Sequence, residues 1–169
     1  GNDSTSRSKY FDWFDRRDGP RVADDGTVIE EAPAPTGFAG LRVMPNLNYA
    51  NVGLREHILA AADFWSGEVG VDAFRCDIAY GVVHSFWKEA REICRSNDSE
   101  FMLLDEVIPN DPSFAENEFD MHFDTADFMN AAHAVAEGNG SLRGVFDAVN
   151  KRPTEGWPDH TLITNATEN

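Results

Sequence analysis

The fold of this chain is indicated most clearly by the stretch Val71-Asp72-Ala73-Phe74-Arg75-Cys76-Asp77-Ile78-Ala79. In an extended strand alternate side chains share a face, so Arg75 and Asp77 are predicted to point one way while Phe74 and Cys76 point the other. A charged pair on the inner face of a buried strand is costly, because both ions lose their hydration. Such a pair is kept either as a structural ion pair or because it takes part in chemistry, and this stretch alone leaves both interpretations open.

The charge of the chain restricts its partners. Among 169 residues, 30 are Asp or Glu and 14 are Lys or Arg, which gives a formal net charge of −16. This excess argues against binding to nucleic acid or to an anionic membrane surface, and a neutral substrate fits better. Lysine is rare, and the acidic excess is spread along residues 47–169, a pattern that suggests a surface adapted to high salt. We therefore expect the source to be a halophile.

The cysteines and the apolar runs exclude further classes of protein. Cys76 and Cys94 provide neither a disulfide framework nor a metal-ligand spacing, and both are expected to be unreactive thiols. No apolar run approaches 18 residues and no charged-then-apolar leader is present, so no segment is predicted to span a membrane or to direct export. A cytoplasmic location is slightly favoured over secretion, and the oligomeric state is left open.

The order of the predicted elements is typical of a parallel β/α protein. Residues 1–46 hold closely spaced turn signals and are expected to be irregular. From Asn51 onward, repeated β/α alternation implies a mostly parallel sheet flanked by helices. The predicted elements are, in order, a helix at 54–65, the strand at 71–79, a helix at 83–93, strands at 101–104 and 119–123, helices at 126–137 and 142–150, and a strand at 159–164.

Two carboxylates are predicted to meet at one edge of this sheet. Function in parallel β/α folds gathers at the carboxyl ends of the strands, where both Asp77 and Glu106 stand. Because Glu106 follows Asp77 by 29 positions, about one β/α/β unit, the two are expected on adjacent strands. Retaining glycoside hydrolysis requires such a pair, one group attacking the sugar and the other protonating the leaving oxygen. Arg75 is expected to hold Asp77 ionised and oriented, and burial is expected to keep Glu106 protonated.

The same residues resemble the signatures of the α-amylase family, glycoside hydrolase family 13. The stretch 70–79 resembles the second signature, which implies Asp77 as the nucleophile and Arg75 as its partner. Leu104-Asp105-Glu106-Val107 resembles the third signature, which implies Glu106 as the acid/base. Three further motifs carry the resemblance, the first and last of them leaning toward the neopullulanase, cyclomaltodextrinase and maltogenic amylase branch: Ser8-Lys9-Tyr10-Phe11-Asp12-Trp13-Phe14, Val83-His84-Ser85-Phe86-Trp87 and Met44-Pro45-Asn46-Leu47-Asn48.

The resemblance implies an α/β fold, a segment of a (β/α)8 TIM barrel with a short inserted irregular subdomain. Residues 1–46 would be an excursion similar to a small domain B, and residues 47–169 would supply about strands 4 to 7. Gly1-Asn2-Asp3-Ser4 resembles the residues that come after the first signature, and Thr167-Glu168-Asn169 resembles the opening of the fourth. The chain is therefore expected to be cut between those two signatures, to lack the third catalytic carboxylate and to be inactive by itself.

The resemblance also implies the ligands. It implies an α-glucan substrate such as starch, maltodextrin or cyclodextrin, with sugar contacts from Arg75, Tyr80 and Asn169. No cofactor is expected for the chemistry, and a structural calcium ion is left open with its ligands unidentified. Tyr80 and Gly81 stand where many members have Lys-His or Asn-Glu, so product specificity and that calcium ligand do not carry over. Asp105 stands where Gly is common, and it places a second acid beside the proposed proton donor.

Other interpretations of the sequence remain open. The alternative to an enzyme is a carbohydrate-binding or structural relative without chemistry, and the presence of all three matched polar residues speaks against it. Trp65 and Trp87 lie on helical stripes and are expected in the core. Tyr10 and Trp13 are candidates for stacking on a sugar, or else anchors of the excursion. The five histidines lack metal spacing and are expected to be exposed or hydrogen-bonded.

Overall fold

A computed structural model of the chain describes residues 8–19, 21–22, 25–30, 34–41, 43–108 and 110–165. It divides into two compact units, Gly1–Ile58 and Leu59–Asn169. The predicted boundary after residue 46 and the likeness of the first part to an inserted domain stay predictions.

The first unit contains short antiparallel strand pairs. Strand β1 (Arg16–Arg17) pairs with β4 (Ala34–Pro35), and β2 (Arg21–Val22) pairs with β3 (Val28–Glu30). The expectation that residues 1–46 are irregular was therefore too strict. Strands of two or three residues are too short to leave a visible alternation in the sequence, which is why the pattern showed only their turns.

The second unit is built on a four-stranded parallel sheet with the strands in chain order. Its strands are β5 (Ala73–Cys76), β6 (Met102–Asp105), β7 (Met121–Phe123) and β8 (Leu162–Thr164). This confirms the predicted parallel sheet and the order of its strands. The strands at 119–123 and 159–164 are shorter than predicted, because their first residues lie in the preceding turns.

In the described part of the chain the α-helices are α1 (Val52–Asp63), α2 (His84–Asn97), α3 (Asn130–Ala136) and α4 (Leu142–Asn150). The range of α4 agrees with the prediction, and the Ser141 side chain caps it by accepting a hydrogen bond from the Gly144 N–H at 3.3 Å. The predicted helix at 126–137 is divided: its first part is a π-helical turn, Thr125–Met129, capped by Asp124. The backbone N–H groups of Asp127 and Phe128 donate to that carboxylate, which satisfies two N–H groups at the start of the turn.

The core of the second unit lies between α2 and the sheet. Phe86, Trp87, Ala90 and Cys94 form the buried stripe of α2, as its periodicity predicts. The indole N–H of Trp87 donates to the Ala79 carbonyl at 3.0 Å, which ties α2 to the segment after β5. The prediction of a core position for Trp65 was wrong: the residue is 50% exposed. It lies in a π-helical turn, Phe64–Val69, whose geometry rotates it off the stripe of α1.

The prediction that the 71–79 stretch is a buried strand was also wrong. Only Ala73–Cys76 is extended, and the side chains of Arg75 and Asp77 are 38% and 65% exposed. The described residues of the second unit leave that face of the sheet open to solvent, while the opposite face is covered by helix. The cost of burying the pair, which motivated the site prediction, is correspondingly smaller.

Within the described residues, no helix is long and apolar enough to cross a membrane. Both cysteines are free, and burial raises the pKa of the Cys76 thiol to about 12 and raises the pKa of Cys94 as well. Since the thiolate is the reactive form, these shifts support the prediction of unreactive thiols.

Candidate active site

The carboxyl ends of β5 and β6 bring the two predicted carboxylates to the same edge of the sheet. Cys76 and Asp105 are register partners, so the residues that follow them, Asp77 and Glu106, leave the sheet side by side. The backbone N–H of Glu106 donates to the Cys76 carbonyl at 3.2 Å. The backbone carbonyl of Glu106 in turn accepts from the Ala79 N–H at 3.0 Å. The pairing therefore continues past the strands and fixes the backbone at the site.

One guanidinium joins both carboxylates. Nη1 of Arg75 forms an ion pair with Oδ1 of Asp77, and Nη2 lies 3.1 Å from Oε2 of Glu106. The planar fork of an arginine can give separate N–H groups to two acceptors, and a lysine cannot reproduce this geometry. Arg75, Asp77 and Glu106 thus form one cluster, which we call the carboxylate cluster.

The two carboxylates lie in different environments. Glu106 is buried, with its side chain 6% exposed, whereas the Asp77 side chain is 65% exposed. One carboxylate is thus open to an incoming molecule, and the other is shielded by protein. The burial of Glu106 agrees with the sequence, while the roles of nucleophile and proton donor stay predictions.

The backbone of Ile78 is turned toward Glu106. Its φ of 46° lies in the left-handed region, which is unusual for a β-branched residue. In this conformation the Ile78 N–H donates to Oε2 of Glu106 at 3.0 Å. Strained backbone of this kind persists where the surrounding structure holds it, and it is common at functional sites.

Of the two other predicted sugar-binding residues, Tyr80 and Asn169, the structure describes only the first. Tyr80 lies on the 3-10 turn Ala79–Gly81, three residues beyond Asp77, and is 41% exposed. Asn169 lies outside the described residues. In the first unit, Tyr10 and Trp13 pack edge to face at 4.6 Å, and Trp13 also lies 5.2 Å from the His57 ring. Sugar contacts from these residues stay predictions.

The sequence identifies no metal ligands, and it leaves a structural calcium ion open. Among the residues that the structure describes, no group of three or more His, Cys, Asp or Glu side chains is arranged to hold a metal ion. The calcium therefore remains without identified ligands.

The structure also reveals a buried polar pair that the sequence did not predict. Nδ1 of His122 lies 2.7 Å from Oδ1 of Asp105, and both side chains are 1% exposed. His122 was expected only to be exposed or hydrogen-bonded, and the second of these is confirmed. A polar residue at the centre of a short apolar strand, 17 positions after an acid that ends the neighbouring strand, is the signal that could have indicated the pair.

Relatives in sequence share part of the chain. Alpha-amylase MalA of Haloarcula japonica is 39% identical over 124 residues, which cover 73% of this chain and 18% of the relative. A cyclomaltodextrinase of a Bacillus species is 37% identical over 101 residues, which cover 60% of this chain and 17% of the relative. The chain thus spans less than a fifth of the length of these curated relatives. No family model matches the sequence.

Solved structures share the fold. A cyclomaltodextrinase superposes with a TM-score of 0.78 at 28% identity, covering 99% of this chain and 28% of that protein. The noncanonic maltogenic alpha-amylase AmyB of Thermotoga neapolitana superposes with a TM-score of 0.71 at 26% identity, covering 95% of this chain and 33% of that protein.

The parallel sheet, with paired carboxylates at its carboxyl edge, and these structural neighbours define a segment of a (β/α)8 barrel of the glycoside hydrolase class. The relatives are named alpha-amylase, cyclomaltodextrinase, maltogenic amylase and neopullulanase. The chain belongs to the α-amylase family, glycoside hydrolase family 13, and to that branch of it.

Proposed function

We propose that the protein containing this chain is a retaining glycosidase that cleaves α-glucosidic bonds of starch, maltodextrin or cyclodextrin. Asp77 is the nucleophile, Glu106 is the acid/base and Arg75 orients both. The observation that supports this most directly is the carboxylate cluster, because a single guanidinium holds an exposed and a buried carboxylate at one edge of a parallel sheet.

The proposed reaction has two displacements. An Asp77 oxygen attacks the anomeric carbon while Glu106 gives its proton to the glycosidic oxygen, so the bond to the leaving sugar breaks and a glycosyl ester forms on Asp77. Glu106, now a carboxylate, takes a proton from water, and the resulting attack at the anomeric carbon releases Asp77. The exposure of Asp77 leaves room for the sugar, and the contacts of Glu106 with Arg75 and Ile78 hold it beside the reacting bond.

The nucleophile assignment is tested by Asp77→Asn in the complete protein that contains these residues. Turnover of maltodextrin is expected to fall by at least about a thousandfold, because the amide cannot form the glycosyl ester. Sugar binding is expected to change little, and calorimetry with a maltooligosaccharide measures it. Asp72→Asn is the matched control, since Asp72 is an exposed aspartate just before β5.

Two outcomes would contradict the proposal. A variant Asp77→Asn that keeps a tenth of wild-type turnover would remove Asp77 from the role of nucleophile. A complete wild-type protein that binds maltooligosaccharides but hydrolyses none of the three substrates would favour the alternative, a carbohydrate-binding relative without chemistry.

A further inference from the structure

The buried Asp105–His122 pair continues into polar contacts with two half-buried residues, Asn110 and Asp127. Nε2 of His122 lies 2.9 Å from Oδ1 of Asn110, and the Asn110 amide N–H donates to the Asp127 carboxylate at 2.8 Å. Because a carboxylate only accepts, this second contact fixes which end of the Asn110 amide faces His122. Both nitrogens of the His122 ring therefore face oxygen atoms, and the ring also stacks on Trp157 with centroids 4.2 Å apart. These contacts hold the imidazole in one orientation.

Burial of this pair lowers the stability of the fold. Asp105 and His122 are fully buried, and Oδ2 of Asp105 has no hydrogen-bond partner among the described residues. A buried carboxylate with one oxygen unpaired destabilises the fold relative to an apolar residue of similar size. The pair lies on the helix-covered face, and the reaction proposed above makes no use of it.

The pair is nevertheless joined to the site through the backbone. Asp105 is the last residue of β6 and Glu106 is the next, and successive side chains of a strand point to opposite faces. Asp105 is bonded to His122 on one face, while Glu106 meets Arg75 and the Ile78 N–H on the other. Any movement of the Asp105 side chain that carries its Cα along therefore also moves the Cα of Glu106.

His122 holds the end of β6 from the side of β7, opposite to β5. The backbone of Glu106 is bonded to Cys76 and Ala79, which lie on and after β5. The Asp105–His122 contact joins the same end of β6 to β7. The His122–Asn110 contact joins β7 to the segment that follows Glu106. The end of β6 is thus held from both neighbouring strands.

We infer that Asp105 and His122 are positioning residues for Glu106, the proposed proton donor, and hold its carboxylate in line with the glycosidic oxygen from the opposite face of the sheet. The inference rests on the proposed function. It also gives a role to Asp105, for which the resemblance to the family offered none.

The test compares two substrates in the complete protein. Asp105→Ala is expected to lower turnover of maltodextrin ten- to a hundredfold, since a displacement of about 1 Å at a catalytic group has effects of this size. Turnover of a maltoside with an activated aryl leaving group is expected to fall less than threefold, because that group needs little protonation. KM for both substrates is expected to stay within twofold. The ratio of the two turnover numbers does not depend on how much of the preparation is folded, so a merely structural role would leave it unchanged.

Conservative variants and a matched control complete the test. Asp105→Asn still bonds to His122 and is expected to restore the ratio to within threefold of wild type. Glu118→Gln is the control, because Glu118 pairs with His84 at 2.9 Å and is equally buried but does not adjoin Glu106. Its ratio is expected to equal that of wild type. If Asp105→Ala yields no soluble protein, His122→Phe replaces it. Its ring can still stack on Trp157 but bonds to neither Asp105 nor Asn110, so a change of more than threefold in the ratio is expected.

The failures of the two hypotheses are distinguishable. Glu106→Gln is measured in parallel and is expected to change the ratio more than any other variant. An unchanged ratio in Glu106→Gln would contradict the proposed acid role. A changed ratio in Glu106→Gln with a ratio within threefold of wild type in Asp105→Ala, or in His122→Phe where that variant replaces it, would overturn the positioning role alone.

Discussion

At the scale of single residues, Arg75 is the centre of the site. Its guanidinium contacts both carboxylates and lies 5.9 Å from the centroid of the Phe123 ring. Its Nη1 and Nη2 groups bond to separate side chains, so the guanidinium fixes the position of Asp77 relative to Glu106. The role of Arg75 therefore depends on the shape of its head group as well as on its charge.

Arg75→Lys tests this dependence. The ammonium group keeps the charge but cannot bond both carboxylates in the fork geometry, so turnover of maltodextrin is expected to fall by about a hundredfold or more. Steady-state kinetics measures it. Arg143→Lys is the control, because Arg143 is an exposed arginine paired with Asp147 on α4. Turnover of Arg75→Lys within threefold of wild type would show that charge alone suffices.

Much of the carboxylate cluster could be predicted from the sequence. Arg75 and Asp77 share a face by alternation, and the spacing from Asp77 to Glu106 places them on adjacent strands. The bond from the Ile78 N–H and the partner of Asp105 could not be predicted. A left-handed conformation at an isoleucine contradicts its local preference, and the contact between Asp105 and His122 depends on the register of β6 with β7, which no local pattern specifies.

At the scale of elements, the sequence predicts types and order better than ends. The predicted succession of helices and strands is confirmed from α1 to β8. Periodicity identifies the middle of an element, but its ends depend on caps and turns, such as the bonds that Asp124 makes before α3. Trp65 and Trp87 show the same limit, since both fit a helical stripe and only the second is buried.

These two tryptophans provide a matched pair of variants. Trp87→Phe removes the bond from the indole to the Ala79 carbonyl and leaves a void in the core, so the free energy of unfolding is expected to fall by about 1–2 kcal/mol. Trp65→Phe, at an exposed position, is expected to change it by less than about 0.5 kcal/mol. Urea unfolding followed by circular dichroism measures both. Equal losses in the two variants would contradict the packing described for α2.

At the scale of the whole molecule, the excess of negative charge is the feature with the largest expected effect on stability. A net charge of −16 on 169 residues opposes a compact fold, and salt weakens that repulsion. A relative from Haloarcula japonica is consistent with the proposal that the source is a halophile.

The complete protein is therefore expected to gain stability with salt. The urea concentration at the midpoint of unfolding is expected to rise clearly between 0.1 M and 2 M potassium chloride, because the ions screen the acidic surface. Urea is chosen over guanidinium, since guanidinium chloride is itself a salt. Equal midpoints in the two solutions would remove the argument for a halophilic surface.

The left-handed turn at Ile78 also has a consequence for hydrogen exchange. Amides in surface turns normally trade their protons with deuterated solvent quickly, whereas this one is held by the buried carboxylate of Glu106. Its exchange rate therefore reports the position of Glu106 in the resting protein, without substrate or turnover. Slow exchange at Ile78 marks a carboxylate in place, and a rate typical of an open loop marks one that has moved away.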